Sequence, residues 1–507
     1  MKKGIVASGS EEATQAAVDI LESGGNAIDA AVSAVFTSMT SEFALTGAAG
    51  GGAMMTKLVD SDPVLYDFFV DTPNIIQNNQ IDFFKATIDF GNSNQHFHIG
   101  KGSVAVPGNI AGLIQVQEEL GKLPLKIVLE PGIDIAKSGC KINKQQSYIF
   151  KILKPIFKHT TESRQLLFNK DMPLKEGDQF INKDFSIFLE SIIKYGVDLF
   201  YKGEIAKLIE STLKEGGLVD YKSMCNYKVV KRKPICTKFR GLKVFTNPAP
   251  SAGGSLIIFL LRLLDKNNDN TVTLQKLIQA MSITNKARAE ICRNSNDERQ
   301  YINLLGKDIF LKYLDLYNQN ITIYEKPNMN PGRGCTTHVS VMDKDGNCAS
   351  VTTSNGEGSG YVIPGTGIML NNMLGEEDLN PDGFHNWKTV RRLSTMMSPT
   401  IVTQNNVPLM IIGSGGSNRI RSAMVQVLVN YIFKQMNLEE SINSPRIHLE
   451  GNNLYLEPGI EILEKHITSN YNLVQFDRKN LFFGGVNAVT NHEGYSDPRR
   501  GGSYRII

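Results

Sequence analysis

The stretch Arg333-Gly334-Cys335-Thr336-Thr337-His338-Val339-Ser340-Val341 leaves a Pro/Gly loop, Pro331 to Gly334, and enters an alternating run that reads as a strand. A second run, Cys348-Ala349-Ser350-Val351-Thr352-Thr353, follows across Asp345-Gly346, a strong short-range hairpin signal. A two-residue Asp345-Gly346 loop predicts Lys344 opposite Asn347. That register places Thr336 opposite Asn355, with Thr353 diagonal to it on the same face. Two threonines and an asparagine are thus expected to converge at the mouth of one hairpin, although threonine belongs in strands for structural reasons too.

The continuation makes the reading specific. It runs through Asn355-Gly356-Glu357-Gly358-Ser359-Gly360 and Gly365-Thr366-Gly367-Ile368-Met369-Leu370-Asn371-Asn372. Further on come Leu393-Ser394-Thr395-Met396-Met397-Ser398-Pro399-Thr400 and Gly413-Ser414-Gly415-Gly416-Ser417. With these ordered motifs the chain resembles the gamma-glutamyltransferase family of N-terminal-nucleophile hydrolases. Such proteins are made as one precursor that cleaves itself before a threonine opening a T-T-H-x-S-V strand.

The resemblance implies an α+β fold, a four-layer αββα sandwich with helices outside two stacked, mainly antiparallel sheets. It implies cleavage between Cys335 and Thr336, giving a large segment 1–335 and a small segment 336–507 intertwined in one domain and held as a heterodimer. Thr336 is the implied nucleophile, oriented by Thr353 and Asn355. Ser354 rivals Thr353, because this segment is one residue shorter than in better-known members. Gly415 and Gly416 match the oxyanion-holding amides, a task glycine suits because no side chain obstructs the approach. Ser394 and Thr395 match the residues that bind the donor carboxylate. Glu376 and Glu377 compete for the acid that holds the substrate ammonium. The chemistry agrees: a freed Thr336 offers a hydroxyl nucleophile and an α-amine of reference pKa near 8 as its base.

The implied reaction is hydrolysis or transfer of the gamma-glutamyl group of glutathione or related amides through a Thr336 acyl-enzyme. A small-molecule donor and an amine or water acceptor are the expected partners, with no metal or organic cofactor. One departure stands out. Where the family carries an arginine that clamps the substrate α-carboxylate, the matching stretch Tyr66-Asp67-Phe68-Phe69-Val70-Asp71 offers Phe69. An aromatic ring supplies no bidentate donors. Arg391 or Arg392 is the candidate substitute. Phe69 also suggests an alternative, a glutaryl-type amide acylase of the same fold; a catalytically silent scaffold is the third reading.

Composition is consistent with this and excludes other classes. The 507 residues, 41% hydrophobic and 21% charged, suffice for a large layered core. A net charge of +3 argues against nucleic acid or an anionic membrane as partner, and Lys231-Arg232-Lys233 before Pro234 reads as a solvated loop. Six scattered cysteines without a C-x-x-C pair suit reduced thiols. No apolar stretch follows Met1-Lys2-Lys3, and the expected compartment is the cytoplasm. His96 and His98 share a strand face but are too few ligands for a metal site. Ser10 is expected to cap a helix beginning Glu11-Glu12, and Asn26 a second, small-faced helix. Gly47 to Gly52 lacks the context of a nucleotide loop. Residues 115 to 240 are expected to be mainly helical, and 317 to 334 to form an exposed tail.

Overall fold

The computed structural model describes residues 3–74, 80–89, 94–266, 271–292, 297–319, 335–462 and 469–507. The opening follows the expected order. Strand Gly4–Ser8 leads to helix Glu11–Glu22, whose first turn is capped by the Ser10 hydroxyl accepting from the Ala13 amide at 3.3 Å. Asn26 then begins helix Ala27–Ser41 with a capping box closed by Asp29. Alanine and serine line much of this helix. Small side chains let it lie close, and all of it is buried against the sheet that carries Thr337–Asp343.

That sheet has seven strands. Side by side lie Val230–Arg232, Val64–Phe68, Gly51–Lys57, Cys348–Ser354, Thr337–Asp343, Gly4–Ser8 and Ser503–Ile506, all antiparallel. The second sheet has six: Ile235–Phe239, Leu242–Thr246, Thr400–Gln404, Val407–Gly415, Gly485–Thr490 and Gly494–Ser496. Helices Ala252–Asp265, Leu274–Ile291 and Arg419–Leu428 cover its outer side. The result is the αββα sandwich, with segments from before and after Cys335 contributing strands to both sheets and interleaved in the seven-stranded one.

Between the sheets an apolar layer of Ile5, Ala53, Met55, Ile401, Ile411 and Val489 sits beside a buried polar group. His338 is 1% exposed; its ring meets Thr352 at 2.7 Å and Ser340 at 2.9 Å. Burial pulls its pKa down to about 3, so it is a neutral core histidine. A Cβ on Gly413 would lie 2.1 Å from the His338 ring, which explains one glycine of the Gly413-Ser414-Gly415-Gly416 run.

The hairpin register differs from the expectation by one residue. Thr337 lies opposite Thr353 and Met342 opposite Cys348, so the loop is Lys344-Asp345-Gly346. The cause is Asp343. Its carboxylate accepts from the amides of Asp345 and Asn347 at 3.0 Å each and from the Asn347 side chain at 2.9 Å. Gly346 closes this longer loop at φ 89°, the left-handed position that three-residue hairpins reserve for glycine.

Two further expectations change. Helix Lys307–Asn318 buries Tyr313 and Tyr317 in the core, so the tail does not begin at residue 317; residues 320–334 lie outside the described residues. Among residues 115–240, several short strands accompany the helices.

Candidate active site

Thr336 stands where the chain enters strand Thr337–Asp343, and it is 5% exposed in the unbroken chain. The one-residue shift in register decides what surrounds it. Thr353, opposite Thr337, shares that residue's face of the sheet. There the Thr353 hydroxyl meets that of Thr46 at 2.8 Å, and Thr337 donates to the buried Glu42 carboxylate at 2.6 Å. Ser354 and Thr336 occupy the other face. The Ser354 hydroxyl donates to the Cys335 carbonyl and accepts from the Gly356 amide at 3.0 Å. The structure therefore brings Ser354, not Thr353, to the Cys335–Thr336 peptide. Asn355 is buried behind it, donating to the Met369 carbonyl at 3.1 Å, with its Oδ1 unpartnered among the described residues.

At the end of strand Val407–Gly415 the chain passes directly over the Thr336 carbonyl. A Cβ on Gly415 would lie 2.1 Å from that oxygen, so only glycine allows the approach. Gly416 follows at φ 127°, which again favours glycine. The Thr336 carbonyl also accepts from the Arg500 guanidinium at 3.2 Å, an arginine of the Ser496-Asp497-Pro498-Arg499-Arg500 stretch, which resembles a late family motif and reads from the sequence as structural.

In front of Thr336 lies a cavity of about 30 Å³, bounded by Ser354, Glu376, Asp378, Thr395, Met397 and Phe69. Of the two competing acids only Glu376 lines it; Glu377 does not. Glu376 is 8% exposed, and its Oε1 has no hydrogen-bond partner among the described residues. Burial, reinforced by the charges of Glu357 and Asp378, pushes its pKa well above the carboxylate range. Asp378, which sequence reasoning did not single out, accepts from Ser417 and from Asn418 at 3.0 Å; burial raises its pKa too. Glu357 was also missed. It is 1% exposed, accepts from the Cys335 amide at 3.3 Å, and is pushed up to about 8 mainly by burial. Its place in Asn355-Gly356-Glu357-Gly358, an acid among glycines beside the hairpin, was the available signal.

Thr395 reaches the cavity, whereas Ser394 is absent from its lining and hydrogen-bonds Tyr301. Phe69 is 1% exposed and packs with Met373, Leu379, Leu393 and Met397. Arg392 does not substitute for the missing clamp. It donates to the carbonyls of Phe69 and Lys228 and to the Tyr227 hydroxyl, and it pairs with Asp71 at 3.0 Å. Arg391 is likewise absent from the cavity lining. Among the described residues no cluster of potential metal ligands occurs.

The catalytic class follows from comparison with known proteins. The chain matches the Gamma-glutamyltranspeptidase family over residues 13–507, and it belongs to that family. It is 30% identical to the glutathione hydrolase proenzyme of Escherichia coli (strain K12), over 88% of this chain and 81% of that protein. It is 28% identical to the acylase ACY 1 proenzyme of Pseudomonas sp. (strain SE83), over 96% and 89% of the two chains. In three dimensions it resembles a cephalosporin acylase from Bacillus halodurans at a TM-score of 0.84 and 21% identity, covering 99% of this chain and 96% of that one, which speaks to the fold.

Proposed function

We infer that this protein is a self-processing gamma-glutamyltransferase-type enzyme that hydrolyses or transfers the gamma-glutamyl group of glutathione or related amides. The observation that carries this reading is the placement of Thr336. Its preceding carbonyl is held by Ser354, its own carbonyl lies under Gly415, and a cavity with a buried, unpartnered carboxyl opens before it.

In maturation the Thr336 Oγ attacks the Cys335 carbonyl carbon, and the C–N bond breaks as the acyl group passes to oxygen. Water then hydrolyses the ester, leaving a Cys335 carboxylate and a free Thr336 α-amine. Segments 1–335 and 336–507 stay together because each contributes strands to both sheets. In turnover the α-amine takes the Thr336 hydroxyl proton as Oγ attacks the gamma-glutamyl carbonyl. The same proton passes to the departing amine, and water or an amine resolves the acyl-enzyme. Amides at Gly415 and Gly416 hold the oxyanion, Glu376 with Asp378 receives the substrate ammonium, and Thr395 receives its carboxylate. Cysteines at 140, 225, 236, 292, 335 and 348, all free, support a reducing compartment such as the cytoplasm.

A second reading, a glutaryl-type acylase, whose acyl group keeps the carboxylate and lacks the ammonium, is favoured by the burial that pushes the Glu376 pKa up and so weakens its pull on an ammonium. Purified protein should run as two fragments, the smaller beginning Thr-Thr-His-Val-Ser, and Thr336→Ala should stay whole. An intact chain with full activity overturns the mechanism. Side-by-side turnover of gamma-glutamyl and glutaryl 4-nitroanilides decides between the two substrate classes.

A further inference from the structure

A cleft of about 590 Å³ opens between helix Glu11–Glu22 and helix Leu125–Ser138 and shares no lining residue with the cavity in front of Thr336. Its volume is that of a small-molecule site. Five carboxylates line it, Glu11, Glu12, Asp19, Glu130 and Asp134, and no lysine or arginine does. Glu11 is already engaged, pairing with Arg505 and accepting from Ser503. Asp19 accepts from the Gln15 amide group at 2.8 Å. Glu12, Asp19, Glu130 and Asp134 have no cationic partner among the described residues. Burial, reinforced by the charge of Glu11, raises the Glu12 pKa, so a cation laid beside it is favoured.

A row of carboxylates is often only a solvated face, and two further features set this one apart. Thr37, from helix Ala27–Ser41, lines the cleft, is 1% exposed, and its hydroxyl has no hydrogen-bond partner among the described residues. A buried hydroxyl in that state is costly unless a ligand completes it. In helix Leu125–Ser138, Pro131 has no N–H to offer the Ile127 carbonyl one turn back, and both residues line the cleft. The hydroxyl and the carbonyl can each accept from an ammonium. Spacing then chooses among cations. Glu12 and Asp19 stand two helical turns apart, about 10 Å along the axis, and Glu130 and Asp134 one turn apart, about 6 Å. The charges are strung out rather than gathered, and no cluster of potential metal ligands occurs among the described residues. Between them lie Ala16, Ile20, Ile127 and Ile135, an apolar floor on which a chain of methylenes can rest.

We propose that this cleft binds an aliphatic polyamine, a flexible chain of methylenes carrying two or more ammonium groups. The methylenes lie over the isoleucines, and the ammonium groups meet the carboxylates and the Thr37 hydroxyl. It is a second site, separate from the one that Thr336 builds, and its carboxylates take no part in acyl transfer.

The probe is spermidine, titrated calorimetrically into the purified protein at low ionic strength, with Tm followed in parallel. Wild-type protein should bind it saturably with Kd below about 1 mM, and Tm should rise with spermidine, as binding to the folded state requires. Glu130→Gln combined with Asp134→Asn changes two exposed positions and should weaken binding by about 5- to 30-fold, the loss of two ion pairs. Glu190→Gln, on the exposed face of helix Lys183–Tyr195, should leave it unchanged. Thr37→Val keeps the shape of the side chain and removes only its hydroxyl. It should weaken binding by about 2- to 10-fold without lowering the Tm of the ligand-free protein. No saturable binding below about 1 mM overturns the proposal, and so does binding unchanged in either the double variant or Thr37→Val. Equal weakening by Glu190→Gln reports surface charge alone and also overturns it. Tighter binding of Mg2+ than of spermidine, lost in the same double variant, makes the cleft a metal site, and tighter binding of tetralysine makes it a peptide site; either result refutes the polyamine assignment.

Discussion

Replacing Ser354 by alanine should nearly stop self-cleavage, whereas replacing Thr353 should not. The Ser354 hydroxyl donates to the Cys335 carbonyl, the group that becomes the oxyanion when Thr336 attacks. Removing one donor to a developing oxyanion typically raises a barrier by about 3 to 4 kcal/mol, roughly 100- to 1000-fold in rate. The same change also strips the Gly356 amide of its acceptor at 3.0 Å, a stability loss of about 1 to 3 kcal/mol for a buried donor. The Thr353 hydroxyl, by contrast, meets Thr46 at 2.8 Å on the opposite face. Its loss should cost about 1 kcal/mol of stability and change the cleavage rate by only a few-fold. Each protein would be made by pulse-labelled translation in vitro and the loss of full-length chain followed by gel densitometry. Thermal melting of the same variants in a Thr336→Ala background separates folding from chemistry. Ser354→Thr should restore cleavage. If Ser354→Ala matures at the wild-type rate while Thr353→Ala stays whole, the observed register does not govern the reaction and the reasoning fails.

Three further outcomes are expected. Gly416→Ala, forced to φ 127° with a Cβ 3.0 Å from the Gly484 Cα, should slow turnover by about 100-fold, and normal kcat would remove these amides from the oxyanion site. Glu357 is raised from 4.5 to about 8, so the stability that goes with its neutral form is present below pH 4.5 and is lost as pH climbs through 8. Calorimetry of the Thr336→Ala precursor should thus show Tm falling across that window and Glu357→Gln flattening the slope; a Tm that rises instead refutes the assignment. Phe69→Arg should lower Tm, since the ring is 1% exposed among apolar neighbours, yet it should lower KM for a gamma-glutamyl anilide relative to the same anilide with its α-carboxylate masked as an amide; an unchanged ratio shows that position 69 does not face the acyl group.

Much of the fold was legible because its signals are local. Asn26 with Asp29 announces a capped helix, small residues announce close packing, and alternation on either side of Asp345-Gly346 announces a hairpin. Register was not legible, because it depends on where one side chain turns. Asp343 lengthens the loop by one residue through three hydrogen bonds, and with period-two alternation this exchanges Thr353 for Ser354 beside the scissile peptide. Motifs also pointed to Gly415 and Glu376, whereas Ser496-Asp497-Pro498-Arg499-Arg500, which resembles a late family motif, read as structural; Arg500 comes from the far end of the chain and reaches Thr336 through the sheet order.

The recognition problem posed by Phe69 follows from the same tertiary facts. Position 69 is not a vacancy left by an absent arginine, because Phe69 completes an apolar wall with Met373, Leu393 and Met397. Arg392, the nearest sequence candidate to replace it, is consumed in holding that wall: it binds the Phe69 carbonyl and pairs with Asp71, whose pKa burial nevertheless raises to about 6. The acyl side of Thr336 is therefore rich in carboxyls, Glu376 and Asp378, and has no arginine in its lining. A donor with both an ammonium and a carboxylate on its acyl half finds strong partners for the first and only neutral hydroxyls such as Thr395 for the second. Neutral hydrogen bonds are about half as strong as charge-assisted ones. Discrimination at the acyl half should accordingly rest on the ammonium, and replacing a gamma-glutamyl donor by its glutaryl counterpart should cost more than masking the α-carboxylate as an amide.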